Sequence, residues 1–316
     1  MGFRSIITPT LHHSSAPGFF PMLLPKFQYH APATIAEACR MMAEIGGGVR
    51  PIAGGTDLVV SMRRGAVAPE HVLSLGRIKE LCAISLSSRA LTIGACCTVA
   101  SLAESSVIAS QWHALHEGAL SLGSPLVRNL ATAGGNLVTA RPAADLPPPL
   151  KAYGARVTLE SSQGQRFVSL DQFFLGPGQT VMKPAEILTS IVLETPPAFS
   201  GSSYIKLGTR RALEISIVSV ACFLTLESPG GRIRSARIVL GAVAPVPMRA
   251  MDAEKALIGE IPSQSLFTKT GEAAAAESKP IDDHRGTAGY RRDMVSVLTR
   301  KTVQAALERA NANRRE

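Results

Sequence analysis

Two short stretches, "AGGTD" (Ala53 to Asp57) and "TAGGN" (Thr132 to Asn136), constrain this chain more than any other feature of its sequence. A Gly-Gly pair offers nothing to a core; alone it is more often just a turn, and otherwise it lets backbone come close to another group. The first loop follows a predicted strand, "VRPI", and brings successive N–H groups and the Thr56 hydroxyl within reach of an anion. The second repeats the arrangement, with Thr132 before the glycines and Asn136 after them. On one domain, the two loops suit the paired phosphates of a dinucleotide held by backbone donors and hydroxyls, with no need for lysine. Neither matches G-x-G-x-x-G or G-x-x-x-x-G-K-[ST], which argues against a Rossmann sheet and a P-loop. Gly134 is expected to be glycine because a ligand approaches its backbone and because its φ excludes a side chain.

The surrounding pattern predicts α+β organisation. In "APATIAEACRMMAEIGGG", Thr34 and Glu37 form a capping box; Ile35, Ala38, Cys39, Met42 and Ile45 make an apolar stripe; and Gly46 to Gly48 stop the helix. Short runs, "HVLSL", "ELCAISL" and "ALTIGA", read as strands, Thr98 caps a helical stretch, and "ARVTLES", "QRFVSL" and "EILTSIVLE" read as further strands. Pro196-Pro197 marks a boundary. Beyond it, "LEISIVSVACFLTLES" and "GRIRSARIVLGAVAP" are joined by Pro229-Gly230-Gly231 as an antiparallel hairpin, and two helical tracts close the chain. The last is expected to bury Met294, Val297, Leu298, Thr302 and Ala305, with its basic residues on the opposite face. Residues 1–23 are expected to be a disordered leader, with translation starting at Met22.

Composition narrows the function classes. The net charge of +9 is spread along the chain, and one tryptophan and four tyrosines give little to stack on bases, so no nucleic-acid face is expected. Five cysteines form no CxxC pair, and Cys96-Cys97 are too close for an ordinary bridge, which points to reduced thiols and a cytoplasmic protein. The longest apolar run, Ile215 to Leu226, has about 12 residues, where a membrane span needs ~20. Metal-ligand spacings and a G-x-S-x-G elbow are absent from the sequence. Asp145, behind Pro142, either caps the turn before Pro147 or accepts a hydrogen bond from a ribose hydroxyl or other polar ligand group. Lys206, on a predicted strand, is either solvated or a cation beside a flavin, where it would stabilise negative charge at N1–C2=O.

Four segments in order, "AGGTDLV", "VRNLATAGGNLVTARPAADLPPPL", "EILTSIVL" and "YIKLGTRRALEISIVSVA", resemble the FAD-binding medium subunit of the molybdenum hydroxylases, the family of xanthine dehydrogenase and carbon monoxide dehydrogenase. The resemblance implies an FAD domain of the vanillyl-alcohol-oxidase-like (PCMH) type with two α+β subdomains over residues 24–197. A smaller C-terminal α+β domain would follow over 198–312. It implies that Ile52, Ala53, Gly54, Gly55, Thr56 and Asp57 wrap the pyrophosphate and flavin side. Thr132, Ala133, Gly134, Gly135 and Asn136 would meet the pyrophosphate from the opposite loop, and Asp145 would hold a polar part of the dinucleotide. Leu122 and Leu188 would make apolar contacts, and Lys206 would approach the isoalloxazine.

In such a heterotrimer, electrons from molybdopterin in a large subunit cross two [2Fe–2S] clusters in a small subunit, reach FAD here and leave to an external small-molecule acceptor. The chain carries no four-cysteine cluster signature, consistent with flavin alone. Asn136 with "LVTARPAAD" leans toward the xanthine-dehydrogenase-like group, and Asp57 stands where some carbon monoxide dehydrogenase members carry serine. The alternatives are a carbon monoxide dehydrogenase medium subunit, a self-standing FAD oxidase, and a scaffold that has lost its flavin.

Overall fold

The computed structural model describes residues 24–210 and 213–313, so the expected leader and the Met22 start lie outside the described residues. Thr34 opens the helix Ile35–Ile45 by accepting the Glu37 N–H, while Glu37 reaches back to the N–H of Ala33, one residue earlier than a strict capping box. Its buried face, Ala38, Cys39 and Met42, packs with Val49, Leu73 and Leu75 over a parallel sheet ordered Gln28–His30, His71–Ser74, Val49–Ile52. Gly46 ends the helix at φ +74°. The strand Val49–Ile52 thereby delivers the AGGTD loop at the carboxyl edge of a parallel sheet, where ligands of open α/β sheets sit.

A second layer is an antiparallel sheet ordered Ile84–Leu86, Ala90–Gly94, Ile187–Glu194, Arg156–Ser161, Gly164–Ser169. "ELCAISL" is not one strand: Lys79–Cys82 forms a 3-10 turn and the strand begins at Ile84. The turn brings the Leu81 carbonyl onto the Cys96 N–H and against Gly94, where a Cβ would stand 2.3 Å from that oxygen. Helices Val99–Glu104, Ser106–Gln111, His113–Ser121 and Ala133–Val138 pack on this sheet around Leu91, Ile93, Trp112, Leu115, Leu137 and Ile191. These two α+β units form the FAD-domain fold that the resemblance implies.

The C-terminal sheet is antiparallel, ordered Ser200–Leu207, Val218–Leu226, Ile233–Gly241, Met248–Arg249, and the hairpin at Gly230 forms as expected. Helix Ala288–Ala312 and helix Gln264–Glu277 join its own core, while Ala114 and Ala152 of the FAD-domain helices meet Tyr204, Ala221 and Val239 of the sheet. Covered from both domains, its strands are buried almost continuously.

Two expectations for this end need correction. Among the described residues three helices follow the sheet, because the seven-residue Met251–Leu257 precedes the two long ones. On the last helix the buried residues are Arg291, Val295, Leu298, Thr299, Thr302, Val303, Ala306 and Ala310, with Met294, Val297 and Ala305 only at the margin. The helix packs on both the strand Ser200–Leu207 and the helix Gln264–Glu277, which widens its buried face and turns it about one position from the apolar stripe. Its basic residues are not all outward: Arg291 is 2% exposed and pairs with Asp283 at 2.6 Å. Among the described residues no helix is long and apolar enough to cross a membrane.

Candidate functional site

The first loop is an open anion cradle. Among the described residues, the N–H groups of Ala53 through Asp57 donate to no acceptor, although Val59 and Ser61 of the following turn donate back to Gly55 and Asp57. Gly55, at φ +71°, turns the backbone so that successive donors converge, and a residue with a side chain is strained there. Asp57 opens helix Leu58–Arg63 without capping it, and its carboxylate faces solvent. Ile52 closes the loop's inner side, its side chain 3.3 Å from where a Gly55 Cβ would be.

The second loop is built differently from the sequence expectation. Its backbone donors are taken internally: Ala133 N–H by Cys97, Gly134 N–H by Ala95, Gly135 N–H by the Thr132 hydroxyl oxygen and Asn136 N–H by the Thr132 carbonyl. Gly134 lies inside helix Ala133–Val138 with no positive φ, and the atoms its Cβ would strike are those of Ala95, at 2.7 and 2.8 Å. The close approach of Ala95 therefore already demands a glycine here, and φ does not. Among the described residues, the donors of this loop that meet no acceptor are the Thr132 N–H, the hydrogen of the Thr132 hydroxyl and the Asn136 side-chain amide. The segment leading into the second loop nonetheless meets the first, since a Cβ on Gly54 would fall 1.7 Å from the Leu130 carbonyl oxygen.

Beyond the second loop, Ala140 adopts φ +45° and reverses the chain. The returning segment is held by Ala242 N–H on the Pro142 carbonyl and by Leu146 N–H on Asn136 Oδ1. Ala242 is itself at φ +63° and Leu213, bonded to the Gly123 carbonyl, at φ +55°. Backbone strain of this kind gathers at functional sites.

This return places Asp145 against the C-terminal sheet. One carboxylate oxygen accepts Tyr204 OH at 2.9 Å and Ser216 OH at 3.0 Å, and the other accepts Lys206 Nζ at 2.8 Å. Lys206 also donates to the Ser121 carbonyl at 3.1 Å. The side chains of Asp145 and Lys206 are 8% and 10% exposed. Burial pushes the Asp145 carboxyl upward, opposed by the Lys206 cation and the hydroxyl donors, and burial beside that carboxylate raises Tyr204 well above the usual phenol range. Asp145 does not cap the turn before Pro147, and Lys206 is not a solvated strand lysine.

Residues 25–196 match the family model described as the FAD binding domain in molybdopterin dehydrogenase. The chain belongs to that family. Residues 203–306 match the CO dehydrogenase flavoprotein C-terminal domain. The carbon monoxide dehydrogenase medium chain of Afipia carboxidovorans is 32% identical over 92% of this chain and 99% of its own length. The xanthine dehydrogenase FAD-binding subunit of Escherichia coli O157:H7 is 28% identical over 89% and 96%. In structure, the chain superposes with a TM-score of 0.87 on carbon monoxide dehydrogenase from Hydrogenophaga pseudoflava, in a form lacking the Mo-pyranopterin moiety, at 31% identity over 91% and 99% of the two chains.

In this molybdopterin-dehydrogenase flavoprotein, the named site residues other than Leu188 fall into three groups. Ile52 to Asp57 form the open cradle, and Thr132 to Asn136 the wall opposite. Asp145, Lys206 and Leu122 cluster where helix His113–Ser121 ends, Leu122 being 7% exposed with its carbonyl bound by Arg128. Leu188 stands apart from that cluster, 4% exposed on strand Ile187–Glu194 in the core that also holds Ala133. Sequence reasoning missed Tyr204, Ser216 and Glu117. Tyr204 lies two residues before Lys206 on one strand and so shares its face, a signal that was available; Ser216 had none.

Proposed function

We propose that this chain is the FAD-carrying medium subunit of a molybdenum hydroxylase, divided at about residues 24–197 and 198–312 and working in the cytoplasm. It receives electrons from the [2Fe–2S] clusters of a small subunit, supplied by molybdopterin in a large subunit, and yields them to an external small-molecule acceptor. The observation that carries the reading is the run of unsatisfied backbone donors from Ala53 to Asp57, which fits a dinucleotide diphosphate. Relatives named for both carbon monoxide and xanthine dehydrogenases match at similar identity, so the reading rests on what the two branches share.

FAD, when bound, supplies the redox chemistry; the residues of this chain bind and orient it. Backbone N–H groups of Ala53 to Asp57 and the Thr56 hydroxyl hold the diphosphate, and the Thr132 hydroxyl donates from across the cleft. Ala133, Gly134, Gly135 and Asn136 shape the opposing wall. Leu122 and Leu188 give apolar sides, and Lys206 presents its cation to the isoalloxazine, held there by Asp145.

The test is to purify the chain alone and with its large and small partners, identify the released cofactor, and follow flavin absorbance on adding oxidisable substrate. Yellow protein yielding FAD, bleached only when the partners are present, is the expected result. Colourless protein under both conditions, or rapid bleaching of the isolated chain by an organic substrate, overturns the proposal.

A further inference from the structure

The Asp145–Lys206 pair is fixed from both domains. Lys206 is tethered to the Ser121 carbonyl and to one Asp145 oxygen; the other oxygen is pinned by Tyr204 and Ser216. Tyr204 is in turn anchored by its backbone: Glu117 accepts its N–H at 2.7 Å while also accepting Arg309 at 2.5 Å. Ser216 is fully buried and Tyr204 4% exposed, so neither hydroxyl has water as an alternative partner. A carboxylate with three fixed donors cannot rotate, and a lysine bonded to it and to a main-chain carbonyl has one place to stand.

We propose that Tyr204 and Ser216 are positioning residues, which lock Asp145 so that Lys206 holds its cation at one point beside the flavin and thereby sets the flavin's reduction potential. This rests on the reading of Lys206 as the flavin-side cation. Neither hydroxyl needs to touch the cofactor. A cation held near the ring favours the more negative, reduced form, and its loss lowers the potential.

The experiment uses the assembled complex with FAD bound and measures the flavin midpoint potential by dye-coupled equilibrium titration, with FAD content and melting temperature recorded for each variant. Lys206→Met is expected to lower the redox equilibrium constant about tenfold, ~30 mV for a two-electron couple. Tyr204→Phe with Ser216→Ala is expected to move it in the same direction by about fivefold, less than loss of the cation, because Lys206 keeps its bond to the Ser121 carbonyl. In a Lys206→Met background the hydroxyl deletions should add nothing. Ser216→Ala alone gives the same readout should Tyr204→Phe lose FAD.

A wild-type potential in the hydroxyl variants, or an equal shift with and without Lys206, overturns the positioning role and leaves the flavin-side reading intact. An unchanged potential in Lys206→Met removes the reading itself, and the proposal with it.

Discussion

Gly54 meets Leu130 backbone to backbone: a Cβ built on Gly54 would stand 1.7 Å from the Leu130 carbonyl oxygen. This contact joins the first glycine loop to the segment that enters the second, so the cradle's shape depends on a position that cannot carry a side chain.

Gly54→Ala should therefore part the loops. The obstructing atom is main chain and cannot rotate away, so the cost is about 1–3 kcal/mol or more. A lower melting temperature is expected, with released FAD well below one per chain. Stoichiometric FAD with an unchanged melting temperature would show that the loops are not locked together here.

Gly134→Ala should destabilise the protein with or without FAD, because the new methyl meets Ala95 and strains the Gly134 N–H bond to the Ala95 carbonyl. About 1–3 kcal/mol is expected from urea denaturation. Adding Ala95→Gly should recover part of the loss, since the two positions touch. Strictly additive losses, or a defect seen only in FAD binding, would show that contact with Ala95 is not what holds this position to glycine.

Asp283 anchors the last helix, accepting Arg291 and Arg285. Burial alone would raise its carboxyl, but the two guanidiniums outweigh that and hold it well below the usual carboxylate range. With the folded pKa depressed, the stabilisation is complete above the unfolded value of about 3.9 and is lost as pH falls below it. Asp283→Asn should cost about 3–5 kcal/mol at neutral pH by leaving the buried Arg291 unpaired. The acid-induced fall in stability below about pH 4 should flatten. An unchanged acid limb in denaturant titrations would refute the assignment.

Thiol reactivity should separate Cys82 from the other four cysteines. Cys82 is exposed, whereas Cys39, Cys96, Cys97 and Cys222 are buried. Burial, with smaller effects from neighbouring thiols, pushes Cys96 up to about 12 and Cys97 to about 11, and burial likewise raises Cys39 and Cys222. A chromogenic disulfide reagent at neutral pH should titrate one fast thiol in the native chain, absent in Cys82→Ser, and five after denaturation. More than one fast thiol would contradict the burial.

Much of the fold was legible because its signals are local. Thr34 caps its helix by a bond three residues along the chain, and the turn at Pro229 to Gly231 needs only its own backbone angles to form a hairpin. The last helix shows where this fails: periodicity gives a stripe, but how wide a face is buried, and whether Arg291 lies on it, depends on what packs on either side.

At the site, residue types and their order are local facts and carry the resemblance to the family; it is that resemblance that groups the two glycine loops with an aspartate and a strand lysine, which the residues alone left open. Only the tertiary structure decided what each is for. Gly55 is glycine for its backbone angle, Gly54 for Leu130 and Gly134 for Ala95, three demands that look alike in sequence. Asp145 finds its partners 59, 61 and 71 residues away, in Tyr204, Lys206 and Ser216. A buried carboxylate must fill its hydrogen-bonding sites from whatever the fold brings near, and no local pattern specifies which groups those are.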